Sequence, residues 1–334
     1  MRRVLQLTLL FSAYSATLVG QRTIGTASLR GVHVAQEGTV WTSGTDGTIL
    51  HGDGTQMQRC TVPPGADKLD FRAVWGWNSQ RAFAMSSGTG DASRLYLTTD
   101  GCQTWKLILQ NTEPNGFWDG LAFTDRNHGW ILGDPVGGKF TVFRTSDGGA
   151  HWRPDKSRQL AAITGESIFA ASNSSLTATG NTVWFGTGGA VAARVFRLTH
   201  NKWTVAATPI RAGTSSSGIF SMAFRDLRHG VAVGGDYKDP EGRRQTAAYT
   251  SDGGASWLAS VTPPTGYRSA VAWSERANAW IAAGPNGVDR SNDGGKTWTR
   301  SSETGGNALS LPWLVGSHGL ITRIDEALMI ACSR

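Results

Sequence analysis

Four aspartates of this 334-residue chain stand in nearly one setting. Asp100, Asp147, Asp252 and Asp293 each precede a glycine and lie five residues before a tryptophan: Trp105, Trp152, Trp257 and Trp298. Three copies read Thr-Ser-Asp-Gly-Gly-Ala-His-Trp at 145–152, Thr-Ser-Asp-Gly-Gly-Ala-Ser-Trp at 250–257 and Ser-Asn-Asp-Gly-Gly-Lys-Thr-Trp at 291–298. A fourth, Thr-Thr-Asp-Gly-Cys-Gln-Thr-Trp at 98–105, lacks the second glycine. Carboxylates repeated at fixed spacing could hold a metal or move protons in hydrolysis. Their neighbours assign them a structural job instead. The aspartate accepts hydrogen bonds from the N–H groups that follow, glycine tolerates positive φ, and the tryptophan opens a strand as a large apolar anchor.

Other chemistry-bearing residues are scattered. Glycoside hydrolysis needs two placed carboxyl groups, and Asp91, Asp119, Asp134, Glu166 and Asp236 are the candidates outside the turns. A tyrosine nucleophile would need a glutamate beside it, and none of the five tyrosines has a convincing one. Gly-Thr-Gly-Gly-Ala at 186–190 follows a strand and leads into another at 191–198, so no helix N-terminus is available to hold a phosphate. The seven histidines have no paired ligand spacing, and His128 and His229 occupy equivalent hairpin positions. The sequence therefore predicts neither cofactor nor metal.

The tryptophans set the period. With Trp203, whose turn has lost its aspartate and glycines, the marks at 105, 152, 203, 257 and 298 are 47, 51, 54 and 41 residues apart. Ahead of the turns run short apolar strands at 40–44, 82–85, 130–133, 183–186, 231–234, 280–284 and 313–316, which makes seven units. Each unit opens on another apolar run, at 29–34, 71–75, 121–123, 168–171, 219–224, 270–273 and 308–311. Glycine-rich turns between short strands, without useful helical periodicity, indicate an all-β array, and units of this length have the dimensions of four-stranded propeller blades. The expected fold is a seven-bladed β-propeller. The last unit has no turn and tryptophan of its own, so 21–28 is expected to supply its outermost strand and close the ring, hiding a sheet edge.

Propeller geometry gathers side chains that the sequence separates. The starts of the innermost strands share one face with the loops from second to third strands, and the aspartate turns lie on the other. Strand starts bring Arg30, Arg72, Asp119 and Arg268 to that mouth, with Phe117, Trp118 and Tyr267 beside them. The loops add Asp91, Arg94, Asp134, Asp236 and Tyr237. Arginines, carboxylates and aromatics converging on a channel mouth make a candidate binding site.

Met-Arg-Arg followed by an uncharged apolar stretch at 4–19 has the form of a secretory leader, giving an expected division into a 1–20 signal peptide and one 21–334 domain. Cleavage at Ala13-Tyr14-Ser15 and at the Gly20–Gln21 junction are both open, and the stretch is short for a membrane span. Removing Arg2 and Arg3 with the leader leaves 30 basic against 25 acidic groups, a mild +5 without the basic helices or lysine runs of a nucleic-acid module. Cys60, Cys102 and Cys332 cannot all pair. A Cys60–Cys102 bridge fits an oxidising compartment, isolated thiols being the plainer expectation.

The phrases Arg-Thr-Ser-Asp-Gly-Gly at 144–149, His-Gly-Trp-Ile-Leu-Gly at 128–133 and Ser-Asn-Asp-Gly-Gly-Lys-Thr-Trp at 291–298 resemble the BNR/Asp-box propellers. Within that family the chain is most similar to the photosystem II stability and assembly factor group, the Ycf48/Hcf136 type, over residues 29–323. The resemblance implies an exported, periplasmic or secreted propeller that binds partner proteins at membrane or envelope complexes and carries no cofactor. The photosynthetic members also carry an arginine-rich patch, which this sequence does not concentrate. A glycan-binding or sialidase-like, glycoside-hydrolysing propeller is the alternative, but the early Arg-Ile-Pro signature of sialidases is absent.

Overall fold

The computed structural model describes residues 19–155, 160–189 and 191–325. Seven antiparallel sheets follow one another around a ring, each built outward from an inner strand. The inner strands are Leu29–Val34, Phe71–Gly76, Trp118–Phe123, Leu176–Thr179, Ser217–Phe224, Ala270–Ser274 and Ala308–Ser310, for blades 1 to 7. Among the described residues, the only helical segments are the 3₁₀ turns Gly90–Ala92 and Ser317–Gly319, and no helix is long and apolar enough to cross a membrane.

The residue pattern along a blade follows from its burial. A second strand lies inside its own sheet and between two neighbouring sheets, so every position of Val40–Gly44, Ala82–Ser86 and Ala279–Gly284 is buried. Such strands read as unbroken runs of apolar and small residues instead of alternating ones. The fourth strands face solvent and are short, down to Arg153–Pro154 and Leu258–Ala259. The turn tryptophans Trp105, Trp152, Trp257 and Trp298 are buried between blades. Their aspartates bind as the sequence predicts. Asp252 Oδ1 accepts from Thr250 Oγ1 at 2.8 Å and from Ser256 N at 3.0 Å, and Asp147 and Asp293 repeat the arrangement.

The first and last described strands meet in blade 7. Val19–Thr23 pairs antiparallel with Leu320–Arg323, outside Trp313–Val315 and Ala308–Ser310. The closing strand therefore lies slightly earlier than the expected 21–28, and 24–28 is the connection into blade 1, with Ile24 N bonded to Gly319 O at 3.0 Å. The ladder begins inside the expected 1–20 leader, most of which lies outside the described residues.

Two expectations are corrected. Residues 168–171 are not the inner strand of blade 4, which is Leu176–Thr179. The preceding segment instead crosses the channel, and its anchor Glu166–Ser167 pairs with Gly188–Gly189, itself paired to blade 5 through Gly218. Cys60 and Cys102 are joined in a disulfide that ties the end of blade 1 to the turn of blade 2. A His51 nitrogen lies within 4.8 Å of both sulfurs, but sulfurs bonded to each other are not free metal ligands.

Candidate functional site at the channel mouth

The crossing segment turns the open channel into a bowl of about 580 Å³. Ile168 N donates to Asp134 Oδ1 of blade 3 at 2.8 Å, and Ala170 O accepts from Arg72 Nη1 of blade 2 at 3.3 Å. Ser172 Oγ donates to Ser269 O of blade 6 at 2.6 Å, and Phe169 stacks on Phe220 of blade 5 with ring centres 4.0 Å apart. Four blades thus hold one floor.

Seven of the predicted mouth residues line this bowl: Arg30, Arg72, Phe117, Asp119, Asp134, Tyr237 and Tyr267. The two arginines share one carboxylate. Arg72 Nε lies 2.7 Å from Asp70 Oδ2 and Arg30 Nε lies 3.8 Å from the same oxygen, which leaves Arg30 Nε without a hydrogen-bond partner. Burial and the neighbouring Arg72 cation both lower the Arg30 pKa, against the pull of Asp70. An added anionic group would relieve this crowding. Opposite, burial and the adjacent Asp134 raise the pKa of Asp119 well above its ordinary value, partly offset by Arg72. Its Oδ2 has no partner. Burial lifts Asp134 to about 6, opposed by the Ile168 N–H bond. Phe220 and Tyr267 form the aromatic wall, edge to face at 4.8 Å.

The other predicted residues lie elsewhere. Arg268 is fully buried, and all five of its N–H donors are spent on Asp289, Tyr267 O, Asn286 and Thr265. It fastens blade 6 and offers a ligand nothing. Asp91 and Arg94 form a separate surface clamp, with Arg94 Nε on Asp91 O at 2.6 Å and Nη1 on Gly65 O at 3.3 Å. Asp236 is buried beside Thr214 and Arg211, 3.5 Å from Arg211 Nη2. Glu166, a candidate hydrolytic carboxylate, is saturated by Arg194, Thr187 and Ile163 N. His128 and His229 each bind the aspartate three residues earlier, at 2.8 Å, as hairpin fastenings. Sequence reasoning missed Asp70 and Phe169. Asp70 precedes the strand that carries Arg72, and Phe169 lay in the misassigned run.

No protein-family model matches the chain, and no curated protein matches it. Solved structures do. Ycf48 bound to a D1 peptide superposes with a TM-score of 0.61 at 15% identity, covering 92% of this chain and 97% of that one. Ycf48 from Cyanidioschyzon merolae gives 0.61 at 18% identity, over 91% and 98%. A GH74 enzyme of Niastella koreensis gives 0.59 at 13% identity, over 81% of this chain and 46% of the enzyme. At these identities the likeness is one of fold, and the chain is a seven-bladed β-propeller similar in fold to Ycf48.

Proposed function

We propose that the protein is an exported, non-enzymatic platform that binds a segment of a partner protein at the channel mouth. The observation that carries this reading is the closed bowl, in which Arg30 and Arg72 share a single carboxylate beside an aromatic wall. A pocket of this volume admits a few side chains of a peptide, with the arginines fixing an acidic group and the rings packing apolar ones. The solved Ycf48 complex with a D1 peptide supports a peptide as the kind of ligand, and the buried disulfide supports an oxidising compartment. The glycoside-hydrolysing alternative draws support from Asp119 and Asp134, two neighbouring carboxyls whose pKa values burial raises, that of Asp134 to about 6. Against it, Asp119 is buried under the crossing segment, where a glycosidic oxygen would have to displace Ala170.

Fractionating the native cells and capturing partners from the envelope fraction tests the proposal. The wild type is expected in that fraction with a co-purifying protein that the double variant Arg30→Glu/Arg72→Glu loses, the more steeply as salt rises. Capture that ignores the double variant would overturn the mouth as the site. Turnover of glycosides abolished by Asp134→Asn would establish the alternative.

A further inference from the structure

On the face opposite the mouth, turns between third and fourth strands reach across to the blade before them. Gly54 of blade 1 closes on Trp313, Gly149 of blade 3 on Phe83, Gly254 of blade 5 on Trp184 and Gly295 of blade 6 on Val231, each with no room for a side chain unless its neighbours shift. In blade 2 the same place is taken by Cys102, bonded to Cys60 of blade 1. The preceding blade also holds the carbonyls of the turn. Arg81 Nη2 donates to Gly148 O at 2.7 Å, and Arg197 Nη1 and Trp184 Nε1 donate to Gly253 O at 3.1 and 2.9 Å.

The junction of blades 3 and 4 has lost this turn. Arg194–Thr199 and Lys202–Ala207 are joined by a two-residue hairpin at His200 and Asn201, both at positive φ, which stops short of blade 3. What the turn would have covered is a cleft of about 930 Å³. Its floor is Trp130, with the Arg144 guanidinium 5.2 Å from the ring centre, and its walls include Arg153, His200 and the exposed Leu227. The carboxylates nearby are already engaged. Asp155, buried, lies 3.6 Å from Arg144, and Asp125 is paired with His128.

We propose that this cleft docks an aspartate–glycine turn of another protein, supplied in trans where the other blades supply one in cis. The chain itself shows what such a surface receives. An indole floor accepts a residue without a side chain, an arginine of the preceding blade donates to a turn carbonyl, and Arg153 and His200 line the same cleft. This site lies on the opposite face from the mouth and does not depend on it.

The test uses the biotinylated peptide Thr-Ser-Asp-Gly-Gly-Ala-Ser-Trp, immobilised and titrated with the full chain by biolayer interferometry. Saturable binding with Kd of about 0.1–1 mM is expected. Arg144→Ala should weaken it about fivefold, as loss of one hydrogen-bonding partner does, and a peptide with valine for its second glycine should weaken it by a similar factor. Replacing His200, Asn201 and Lys202 by Ser-Asp-Gly-Gly-Ala-Ser fills the cleft from within and should abolish binding. Arg30→Glu/Arg72→Glu should leave it unchanged, which separates this proposal from the mouth reading. If the graft does not fold, Arg144→Ala and the valine peptide decide. Absence of saturation, binding that survives these changes, or competition by acetate at equal concentration, which would mean a bare anion site, overturns the assignment.

Discussion

Asp134 and Asp147 show how completely the surroundings set a carboxyl's behaviour in this protein. Asp147 is solvated and accepts hydrogen bonds from His151 N and Nδ1 and from Thr145, which lower its pKa. Asp134 is enclosed by the bowl, and burial raises its pKa to about 6. The two act on stability in opposite pH windows. A carboxyl with a lowered pKa contributes stability above the unfolded value near 3.8 and loses it as pH falls. A raised one leaves the native state holding more protons than the unfolded chain between about 4 and 6, so its contribution falls as pH rises through that window. Asp134→Asn keeps an acceptor for Ile168 N and removes the ionisation. The variant is expected to be more stable than the wild type at pH 7.5, by roughly 2 kcal/mol after discounting the shift for residual solvation. At pH 4.5 about a third of that gain should remain, because the unfolded carboxyl is already mostly ionised there. Urea unfolding at the two pH values checks this, and a gain of the same size at both would show that the carboxylate charge is not the cause.

Among the four aspartate turns, that of blade 2 departs most from its siblings. Cys102 sits at φ 64°, a left-handed conformation that glycine adopts freely and a β-carbon resists. Its sulfur pins the turn to blade 1 across a separation of 42 residues, a loop whose closure is worth about 3–4 kcal/mol in chain entropy. Cys60→Ser/Cys102→Ser should lose about that much in urea unfolding. Cys60→Ser/Cys102→Gly should recover about 1 kcal/mol, because it restores the residue that the other turns use. Equal stability of the two variants would mean that the left-handed backbone carries no cost here. The same turn marks how far the sequence could be read. The hydrogen bonds of its aspartate run between residues at most four apart, so the aspartate turns, the blade count and the ring closure were visible in local spacing. The disulfide was not, since three cysteines without a ligand spacing do not reveal which two meet. Nor was the role of 168–171, because an apolar run beside glycines fits a buried inner strand as well as a floor laid across a channel. Arg268 was placed at the mouth from its position at a strand start, while its partner Asp289 comes from a strand 21 residues on.

At the scale of the whole molecule, stability rests on the ring being shut. Val19–Thr23 is the outermost strand of blade 7, and without it Leu320–Arg323 would present a bare row of backbone groups. A chain starting at Gly25 is expected to melt several degrees lower and to associate on heating, while a chain starting at Val19 should match the full sequence from Met1. Calorimetry with light scattering distinguishes them, and identical melting would show that the closing strand adds nothing. The two faces of the ring also carry different candidate sites. The floor of the mouth is one crossing segment held by four blades, whereas the cleft between blades 3 and 4 lies where one turn is shortened.

That closing ladder also imposes an order on the birth of the molecule. Val19 pairs with Arg323, so the ring cannot shut on a ribosome until Arg323 has emerged. Until then the early blades wait with an open seam, the interval in which an unfinished sheet is most exposed to pairing with the wrong neighbour.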